Sequence, residues 1–277
     1  MKKIFAVFGN PIEHSLSPPI HQSFARQHGI DIEYRKILST EEQFSDDVDT
    51  FFSGGGDGCN VTVPFKELAY QKCVKLSAQA QVARAVNTLY LNQHKELCGH
   101  NTDGTGLLND LSNNQKLTIN DRHIVILGAG GATRGILQPL IDQQPEAITI
   151  INRTVAKAEA LARDFASLFS IQVVAADNLP DNFKPADLLI NATSASLDAK
   201  LPVTDTSVIS PDSACYDLAY SFEPTRFLEW TRSNGAQHNC DGRGMLVEQA
   251  AAAFYTWTNL KPDTTEIIKN FQILKTL

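Results

Sequence analysis

Short apolar runs alternate along this chain with longer segments of mixed polarity, and this alternation limits the fold more than any other feature. Eight apolar runs predict strands, over residues 4–8, 59–63, 88–91, 123–127, 147–151, 171–175, 188–191 and 214–218. Helices are predicted between and after them, over residues 18–28, 64–75, 104–111, 131–143, 155–169 and 245–257, of which the last has the clearest amphipathic pattern. Strands that alternate with helices predict an α/β fold.

The chain length indicates how many domains this fold contains. At 277 residues, the chain is longer than a single hydrophobic core usually supports, so we expect two domains. A polar stretch over residues 112–121 is a candidate border between them. The composition, 43% hydrophobic and 20% charged, excludes a disordered or collagen-like chain.

Charge and cysteine usage narrow the class of ligand and the cell compartment. A formal net charge of -7 gives no attraction to nucleic acid or to an anionic membrane, so small molecules are the expected partners. The five cysteines are scattered without a CxxC pair, and the histidines show no paired ligand spacing. We therefore expect no disulfide framework and no metal site. The first residues predict a strand rather than a signal peptide, and no apolar stretch has membrane-spanning length, so we expect a cytoplasmic protein.

A glycine-rich turn follows the predicted strand at residues 123–127 and opens the next helix. Its residues are Gly128, Ala129, Gly130, Gly131 and Ala132. Glycine lets the backbone approach a pyrophosphate closely, and a helix N-terminus supplies unpaired N–H groups and the positive end of the helix dipole. The sequence therefore predicts a dinucleotide site. Thr133 stands where a third glycine or alanine is usual, so a tight turn without a ligand is the alternative.

The residues after the next strand indicate which dinucleotide this turn would hold. A protein selective for NAD usually has an acidic residue there, which accepts hydrogen bonds from the ribose 2′-hydroxyl. This chain has Asn152, Arg153 and Thr154 instead, and Lys157 follows about one helical turn later. Because a guanidinium beside a hydroxyl suits a 2′-phosphate, we predict NADP. The alternative is a solvated arginine, with Thr154 as the N-cap of the helix.

Two serines lie at the first predicted junction of a strand and a helix. Ser15 and Ser17 bring two hydroxyls next to the unpaired N–H groups of a helix start, an arrangement that suits a carboxylate. Ser17 before Pro18 is also a good N-cap, with proline at the first helical position. A purely structural role is therefore an equal alternative.

A lysine and an aspartate lie at two further strand ends. Lys66 falls in the first turn of a predicted helix, where a cation faces the positive end of the dipole at a cost of roughly 0.3–1 kcal/mol. A lysine in this position suits proton transfer, and a solvated lysine is the alternative. Asp103 precedes the next helix, where it would be either an N-cap or the partner of a catalytic base. Asn87 and Gln249 complete the polar candidates, and each would equally fit a turn or a cap.

Eight sequence blocks carry a family resemblance. The blocks are Gly9-Asn-Pro-Ile with His14-Ser-Leu-Ser-Pro18, Asn60-Val-Thr-Val-Pro-Phe-Lys66, Ala85-Val-Asn-Thr88, Asn101-Thr-Asp103, Gly128-Ala-Gly-Gly-Ala132, Asn152-Arg-Thr154, Asn191-Ala-Thr193 and Gly242-Arg-Gly-Met-Leu-Val-Glu-Gln249. In this order they resemble shikimate dehydrogenases over nearly the whole chain. Three positions depart from the family pattern: Ser196 replaces a glycine, Ala78 replaces an acidic residue, and Tyr220 lacks a proline two residues later.

The resemblance implies an N-terminal α/β substrate domain formed by residues 1–101 and 241–277, with a Rossmann-type, doubly wound NADP domain inserted as residues 102–240. It implies Lys66 as the catalytic acid/base and Asp103 as its partner. The substrate-binding residues that it implies are Ser15, Ser17, Thr62, Asn87, Asp103, Tyr220 and Gln249. The pyrophosphate would lie on the glycine-rich turn, the adenosine phosphate on residues 152–157, and the nicotinamide beside Leu218, Gly242 and Met245.

The activity implied by the resemblance is the reversible, NADPH-dependent reduction of 3-dehydroshikimate to shikimate, a step of aromatic biosynthesis. One alternative is an NAD-dependent quinate/shikimate dehydrogenase, against which Arg153 counts. Another is a non-catalytic, NADP-responsive regulator on the same fold, against which the presence of Lys66 and Asp103 counts. The expected partners are NADP and the small-molecule substrate, in a monomer or homodimer.

Overall fold

A computed structural model of the chain describes residues 2–193, 195 and 200–275, so Ser196 lies outside the described part. The chain forms two compact units. The first comprises Met1–Leu107 with Val247–Leu277, and the second comprises Leu108–Leu246. The chain thus leaves the first unit, forms the second and returns to the first.

Strands and helices alternate along the described chain. The strands are β1 Lys3–Gly9, β2 Ile32–Leu38, β3 Gly58–Val61, β4 Lys75–Leu76, β5 Thr88–Leu91, β6 Leu97–His100, β7 His123–Leu127, β8 Ala147–Asn152, β9 Ile171–Ala175, β10 Leu188–Asn191, β11 Ala214–Asp217 and β12 His238–Cys240. The helices are α1 Ser17–Gln27, α2 Phe44–Ser53, α3 Lys66–Lys72, α4 Ala78–Ala83, α5 Asp103–Asn109, α6 Gly131–Asp142, α7 Val155–Phe165, α8 Arg226–Ser233, α9 Arg243–Thr258 and α10 Thr265–Lys269. A π-helical turn, Asp110–Asn114, follows α5 directly.

The first unit is built on a mixed sheet with the strand order β2-β1-β3-β5-β6-β4. Strand β1 is parallel to both of its neighbours, whereas β5 is antiparallel to both of its own. Phe8 and Ala6 of β1 are buried in one apolar cluster, and Phe5 and Val7 are buried in another. Because successive side chains point to opposite faces of a sheet, a strand covered on both faces is apolar at nearly every position. This is why β1 appears in the sequence as a continuous apolar run.

The second unit is built on a parallel sheet with the order β12-β11-β10-β7-β8-β9. Counted from β7, this is the 3-2-1-4-5-6 arrangement of the doubly wound Rossmann fold. The direction of winding reverses between β7 and β10. In open α/β sheets, ligands bind outside the carboxyl ends of the strands at such a reversal, so the predicted glycine-rich turn follows the correct strand.

The eight predicted strands are all present, and the sequence missed β2, β4, β6 and β12. Strand β2 lies at a sheet edge, where the exposed Arg35 and Lys36 interrupt its apolar pattern, as is usual for edge strands. Helix α9 is present, but its predicted amphipathic pattern is wrong. Of its sixteen residues, only Tyr255 is exposed and the rest are buried or half-buried, so this helix is covered by protein on nearly every side.

The boundary between the two units falls inside helices. The chain passes from the first unit to the second after Leu107, within α5, and back again after Leu246, within α9. The family resemblance placed these borders after residues 101 and 240. The polar stretch over residues 112–121, the other candidate border, begins within the π-helical turn. None of the helices in residues 2–193, 195 and 200–275 has the length and apolar character needed to cross a bilayer.

Candidate active site

In the first unit, the candidate site begins where the sheet order changes direction at β1 and β3. Gly9 ends β1, and a Cβ atom at this position would lie 2.6 Å from Cγ2 of Thr62. The backbone N–H of Thr62 donates to the carbonyl of Phe8 over 2.9 Å. The absence of a side chain at Gly9 therefore lets the two strand ends approach closely, which brings Thr62 to the carboxyl edge of the sheet.

Lys66 and Asp103 form an ion pair at this edge. Lys66 begins α3, Asp103 begins α5, and the Lys66 Nζ lies 2.6 Å from Asp103 Oδ2. Their side chains are 29% and 11% exposed, respectively. Asp103 is not the N-cap considered above, since the backbone N–H of Asp103 itself donates to Oδ1 of Asn101. The Asp103 carboxylate therefore faces the lysine instead of capping the helix.

A buried amide determines the orientation of this carboxylate. Asn87 Nδ2 donates to Asp103 Oδ1 over 2.8 Å and to Thr102 Oγ1 over 2.9 Å. Asn87 Oδ1 in turn accepts hydrogen bonds from the Thr88 hydroxyl and from the backbone N–H of Thr102. The Gln249 Oε1 lies 3.5 Å from both Asn87 Nδ2 and Thr102 Oγ1. The fold thus brings four predicted candidates, from four distant segments, into one hydrogen-bonded cluster.

The two serines of the first junction have different surroundings from those expected. Helix α1 begins at Ser17 itself, and the Ser15 Oγ accepts a hydrogen bond from the Ser17 backbone N–H over 3.3 Å. The prediction of Ser17 as N-cap is therefore wrong, because Ser15 supplies the oxygen at the helix start. Ser17 is 8% exposed, and its hydroxyl hydrogen-bonds to Tyr34.

Tyr34 and Asn60, to which no sequence pattern assigned a role, connect the serines to the ion pair. The Tyr34 hydroxyl donates to Asn60 Oδ1 over 2.6 Å, and Asn60 Nδ2 donates to the carbonyl of Asn87 over 3.1 Å. His21 stacks on Tyr34 with ring centroids 4.7 Å apart, and burial lowers the pKa of His21 to about 3. Asn60 belongs to one of the family blocks, two residues before Thr62, whereas Tyr34 lies in a strand that was not predicted.

In the second unit, the glycine-rich turn lies at the winding reversal. Gly128 has a φ of +104°, and a Cβ there would lie 2.8 Å from Cγ2 of Thr193 and 3.3 Å from the carbonyl oxygen of Ala192. These residues follow β10, the strand across the reversal from β7. Only glycine adopts this backbone conformation readily. The hydroxyl of the buried Thr133 donates to the Gly128 carbonyl over 2.8 Å, so this threonine, unusual at its position, stabilises the turn by a hydrogen bond.

The start of α6 leaves room for a ligand. Cβ atoms built at Gly130 and Gly131 would have no neighbour within 4 Å. Gly130 is the N-cap, and no side chain caps the helix. The first N–H groups of α6 therefore lack a capping side chain and lie beside open space at the positive end of a helix dipole, which fits a pyrophosphate.

Two cations lie after β8. Arg153 and Lys157 are exposed, and the described part of the chain contains no ion-pair partner for either. Thr154 occupies the N-cap position of α7, but its side chain makes no capping hydrogen bond. Asn152 Nδ2 donates to the carbonyl of Thr154 over 2.8 Å. The guanidinium, the ammonium and the hydroxyl thus fit a 2′-phosphate, and no carboxylate takes part in this group.

The residues expected beside a nicotinamide also lie in the second unit. A Cβ at Gly242 would overlap the carbonyl of Leu218, and the Gly242 N–H donates to the carbonyl of Ala219 over 3.0 Å. Met245 lies in the first turn of α9. Tyr220 is half-buried, and burial raises its pKa. Among the substrate candidates, Tyr220 alone belongs to the second unit.

These features define a class of protein. A doubly wound parallel sheet with an uncapped glycine turn at its winding reversal is typical of dinucleotide-dependent oxidoreductases, which bind the cofactor at that turn. The lysine–aspartate pair of the other α/β unit supplies a group for proton transfer.

Comparison with known proteins identifies the family. Residues 7–89 match the shikimate dehydrogenase substrate binding domain, residues 110–205 match the shikimate / quinate 5-dehydrogenase family, and residues 242–269 match the shikimate 5′-dehydrogenase C-terminal domain. The shikimate dehydrogenase (NADP(+)) of Hahella chejuensis is 46% identical over 265 residues, which are 96% of this chain and 97% of that protein. The chain belongs to the shikimate dehydrogenase family, as the sequence blocks predicted.

Solved structures agree with this assignment. An Ael1 enzyme from Pseudomonas putida is 38% identical with a TM-score of 0.89, over 96% of this chain and 97% of that chain. The shikimate 5-dehydrogenase from Thermus thermophilus, solved in complex with NADP(H) and shikimate, is 30% identical with a TM-score of 0.87, over 98% and 99% of the two chains. The predicted substrate domain with a Rossmann-type domain is therefore confirmed.

Proposed function

We propose that this protein catalyses the reversible reduction of 3-dehydroshikimate to shikimate with NADPH. The observation that carries the proposal is the ion pair of Lys66 and Asp103, 2.6 Å apart and only partly exposed, in a member of this family. In the reduction, the carbonyl carbon gains a hydride and the carbonyl oxygen gains a proton. NADPH supplies the hydride when it is bound, and the chain has to supply the proton.

Lys66 is the proposed acid/base. In the direction of reduction, the Nζ ammonium of Lys66 donates a proton to the carbonyl oxygen, and in the reverse direction the amine takes the proton of the hydroxyl. Asp103 accepts a hydrogen bond from Nζ through one oxygen, while its other oxygen is held by Asn87. The amide thus keeps the carboxylate oriented towards the lysine, so that the lysine remains in position through the proton transfer.

The substrate is proposed to bind chiefly in the first unit, where neutral donors meet its carboxylate. Ser15 and Ser17 would bind its carboxylate at the start of α1, where backbone N–H groups and hydroxyls gather. The other proposed contacts, to the ring hydroxyls or the carboxylate, are Thr62, Asn87, Asp103, Tyr220 and Gln249.

NADP is proposed to bind in the second unit, with residues 128–132 at the pyrophosphate and residues 152–157 at the adenosine phosphate. The exposed Arg153 and Lys157 favour a 2′-phosphate over the 2′-hydroxyl of NAD. Leu218, Gly242 and Met245 would lie beside the nicotinamide. The two cations disfavour an NAD-dependent quinate/shikimate dehydrogenase, and the ion pair of Lys66 and Asp103 disfavours a non-catalytic regulator.

We also propose that the enzyme is cytoplasmic and works as a monomer or homodimer. Its five cysteines are all free, which suits a reducing compartment. Neither nucleic acid nor membrane is a proposed partner, since the net charge of -7 attracts neither.

The test is a comparison of kcat/KM for shikimate and quinate, each with NADP and NAD. We expect shikimate with NADP to give the highest value by a clear margin. A higher value for quinate or for NAD would contradict the proposed specificity, and an absence of turnover with every pair would support the regulator.

The same assay tests the acid/base. Lys66→Ala should lower kcat by about 100-fold to 10,000-fold while NADPH binding, measured by calorimetry, stays unchanged. Asp103→Asn should lower kcat and also raise the KM for shikimate. The two losses should not add in the double variant, because both residues serve one proton transfer. The matched control is Lys75→Ala, since Lys75 is an exposed lysine of the same unit. A Lys66→Ala enzyme with more than about a tenth of the wild-type kcat would exclude this lysine as the acid/base.

A further inference from the structure

A buried acid in the second unit has no role in the chemistry proposed above. Asp110 is fully buried at the start of the π-helical turn. Its Oδ2 accepts a hydrogen bond from the Tyr216 hydroxyl over 2.5 Å, and its Oδ1 accepts from Asn114 Nδ2 over 2.9 Å and from Gln115 Nε2 over 3.4 Å. These donors are all neutral. Because a buried carboxylate is costly without a cation, a functional reason for this group is worth seeking in what it contacts.

Asp110 packs directly against the first turn of α9. A Cβ atom at Gly244 would overlap the Asp110 carboxylate, so only glycine permits this approach. π-Helical turns occur frequently at functional sites, and this turn brings the carboxylate against Gly244, one of residues 242–245. We call these four residues the 242–245 turn.

Tyr216 holds the same turn at a second point. The Tyr216 oxygen accepts a hydrogen bond from the backbone N–H of Met245 while its hydroxyl hydrogen is donated to Asp110. Tyr216 is fully buried, and burial together with the nearby Asp110 carboxylate raises its pKa well above the usual value. The phenol therefore keeps its proton, and the hydrogen bonds run in one direction, from Met245 through Tyr216 to Asp110.

A third contact completes the support of this turn. The Gly242 N–H donates to the carbonyl of Ala219 over 3.0 Å. The 242–245 turn is thus held at Gly242 by the loop after β11, at Gly244 by Asp110 and at Met245 by Tyr216. Two of these residues, Gly242 and Met245, are the ones proposed above to lie beside the nicotinamide.

We propose that Asp110 and Tyr216 are positioning residues that hold the 242–245 turn in the conformation that binds the nicotinamide half of NADP. This inference rests on the proposed function. It concerns the nicotinamide half alone, because the contacts of Asp110 and Tyr216 described above are with the 242–245 turn, and not with the glycine-rich turn or Arg153.

The test separates the two halves of the cofactor. Tyr216→Phe removes the hydroxyl and keeps the ring, whereas Asp110→Asn keeps the shape but replaces one acceptor oxygen by a donor. Kd values for NADPH and for 2′,5′-ADP, which contains only the adenosine half, are measured by calorimetry. We expect both variants to raise the Kd for NADPH by about tenfold and to leave the Kd for 2′,5′-ADP within about twofold of wild type, a difference of under about 0.5 kcal/mol.

Two controls make this result specific. Arg153→Ala should weaken NADPH and 2′,5′-ADP together, since its proposed contact is with the phosphate common to both. Tyr255→Phe changes an exposed tyrosine and should leave both Kd values unchanged. Thermal unfolding and circular dichroism show whether each variant is folded at the temperature of measurement. If either Tyr216→Phe or Asp110→Asn fails to fold, the other variant still tests the proposal.

The opposite pattern would overturn the inference. A fall in Tm with unchanged affinity for NADPH would make the pair merely structural, and an equal loss for NADPH and 2′,5′-ADP would mean that the whole unit had been disturbed. A failure of the proposed function itself has a different signature, since the wild-type protein would then bind neither ligand.

Discussion

The glycine-rich turn allows a sharp test, because two of its glycines have opposite surroundings. At Gly131 a Cβ would meet nothing within 4 Å, whereas at Gly128 the φ of +104° and the 2.8 Å approach to Thr193 exclude a side chain. Gly131→Ala should therefore leave the fold intact and even stabilise it by about 0.4–1 kcal/mol, since alanine restricts the unfolded chain. Gly128→Ala should cost about 1–3 kcal/mol from backbone strain alone, with a corresponding fall in Tm.

If the open space at Gly131 is where the pyrophosphate lies, the added methyl group competes with the ligand. We expect Gly131→Ala to raise the Kd for NADPH on the order of tenfold or more, while its Tm stays at or above that of wild type. The measurements are calorimetric titration with NADPH and thermal unfolding without it. A Gly131→Ala variant that binds NADPH as tightly as the wild-type protein would refute the assignment of this space to the cofactor. A Gly128→Ala variant with the same Tm as the wild-type protein would refute the prediction of backbone strain.

Other residues give three further predictions. Arg153→Ala should raise the KM for NADP on the order of tenfold to a hundredfold, as expected for the loss of a charge-assisted contact of about 1.5–3 kcal/mol, and should leave NAD nearly unchanged; an equal loss for both cofactors would exclude phosphate recognition. Ser15→Ala should raise the KM for shikimate and also lower the free energy of unfolding by about 1 kcal/mol, since Ser15 supplies the oxygen at the start of α1. An unchanged KM in both Ser15→Ala and Ser17→Ala would mean that the two serines have only a structural role. His21 has a folded-state pKa of about 3, lowered by burial from 6.5, so the stability that it contributes is fully present above pH 6.5 and is lost as the pH falls towards 3, by up to about 1.4 kcal/mol per pH unit. Compared with wild type and the exposed-histidine control His94→Gln, His21→Phe should flatten the decline in the free energy of unfolding between pH 6.5 and about 4, and an unchanged slope would contradict this prediction.

Features that depend on neighbouring residues could be predicted from the sequence. Eight strands were found, seven of them interior to their sheets, because a strand buried on both faces is apolar at successive positions. The glycine-rich turn was recognised because a left-handed backbone conformation, as at Gly128, demands glycine wherever it occurs. The absence of an acid beside Arg153 likewise indicated the cofactor without any knowledge of the fold.

The family blocks reached further than these local rules. From the residues alone, Asp103 was equally an N-cap and a catalytic partner, and Ser17 was equally a cap and a ligand. Only the resemblance favoured the functional alternative. The structure then removed the cap alternative for both, since Asn101 accepts the hydrogen bond from Asp103 and Ser15 accepts the one from Ser17.

Contacts between distant segments were decided by the tertiary structure alone. Lys66 and Asp103 are 37 positions apart, and Asn87 and Gln249 are 162 apart, so no local pattern could show that they meet. The sequence by itself determined eight of the described strands, the glycine turn and the charges after β8, because these follow from periodicity, backbone sterics and residue chemistry at short range. The cluster around Asp103, the Tyr34 connection and the Asp110–Tyr216 support of the 242–245 turn exist only because the folded sheets bring remote residues within hydrogen-bond distance.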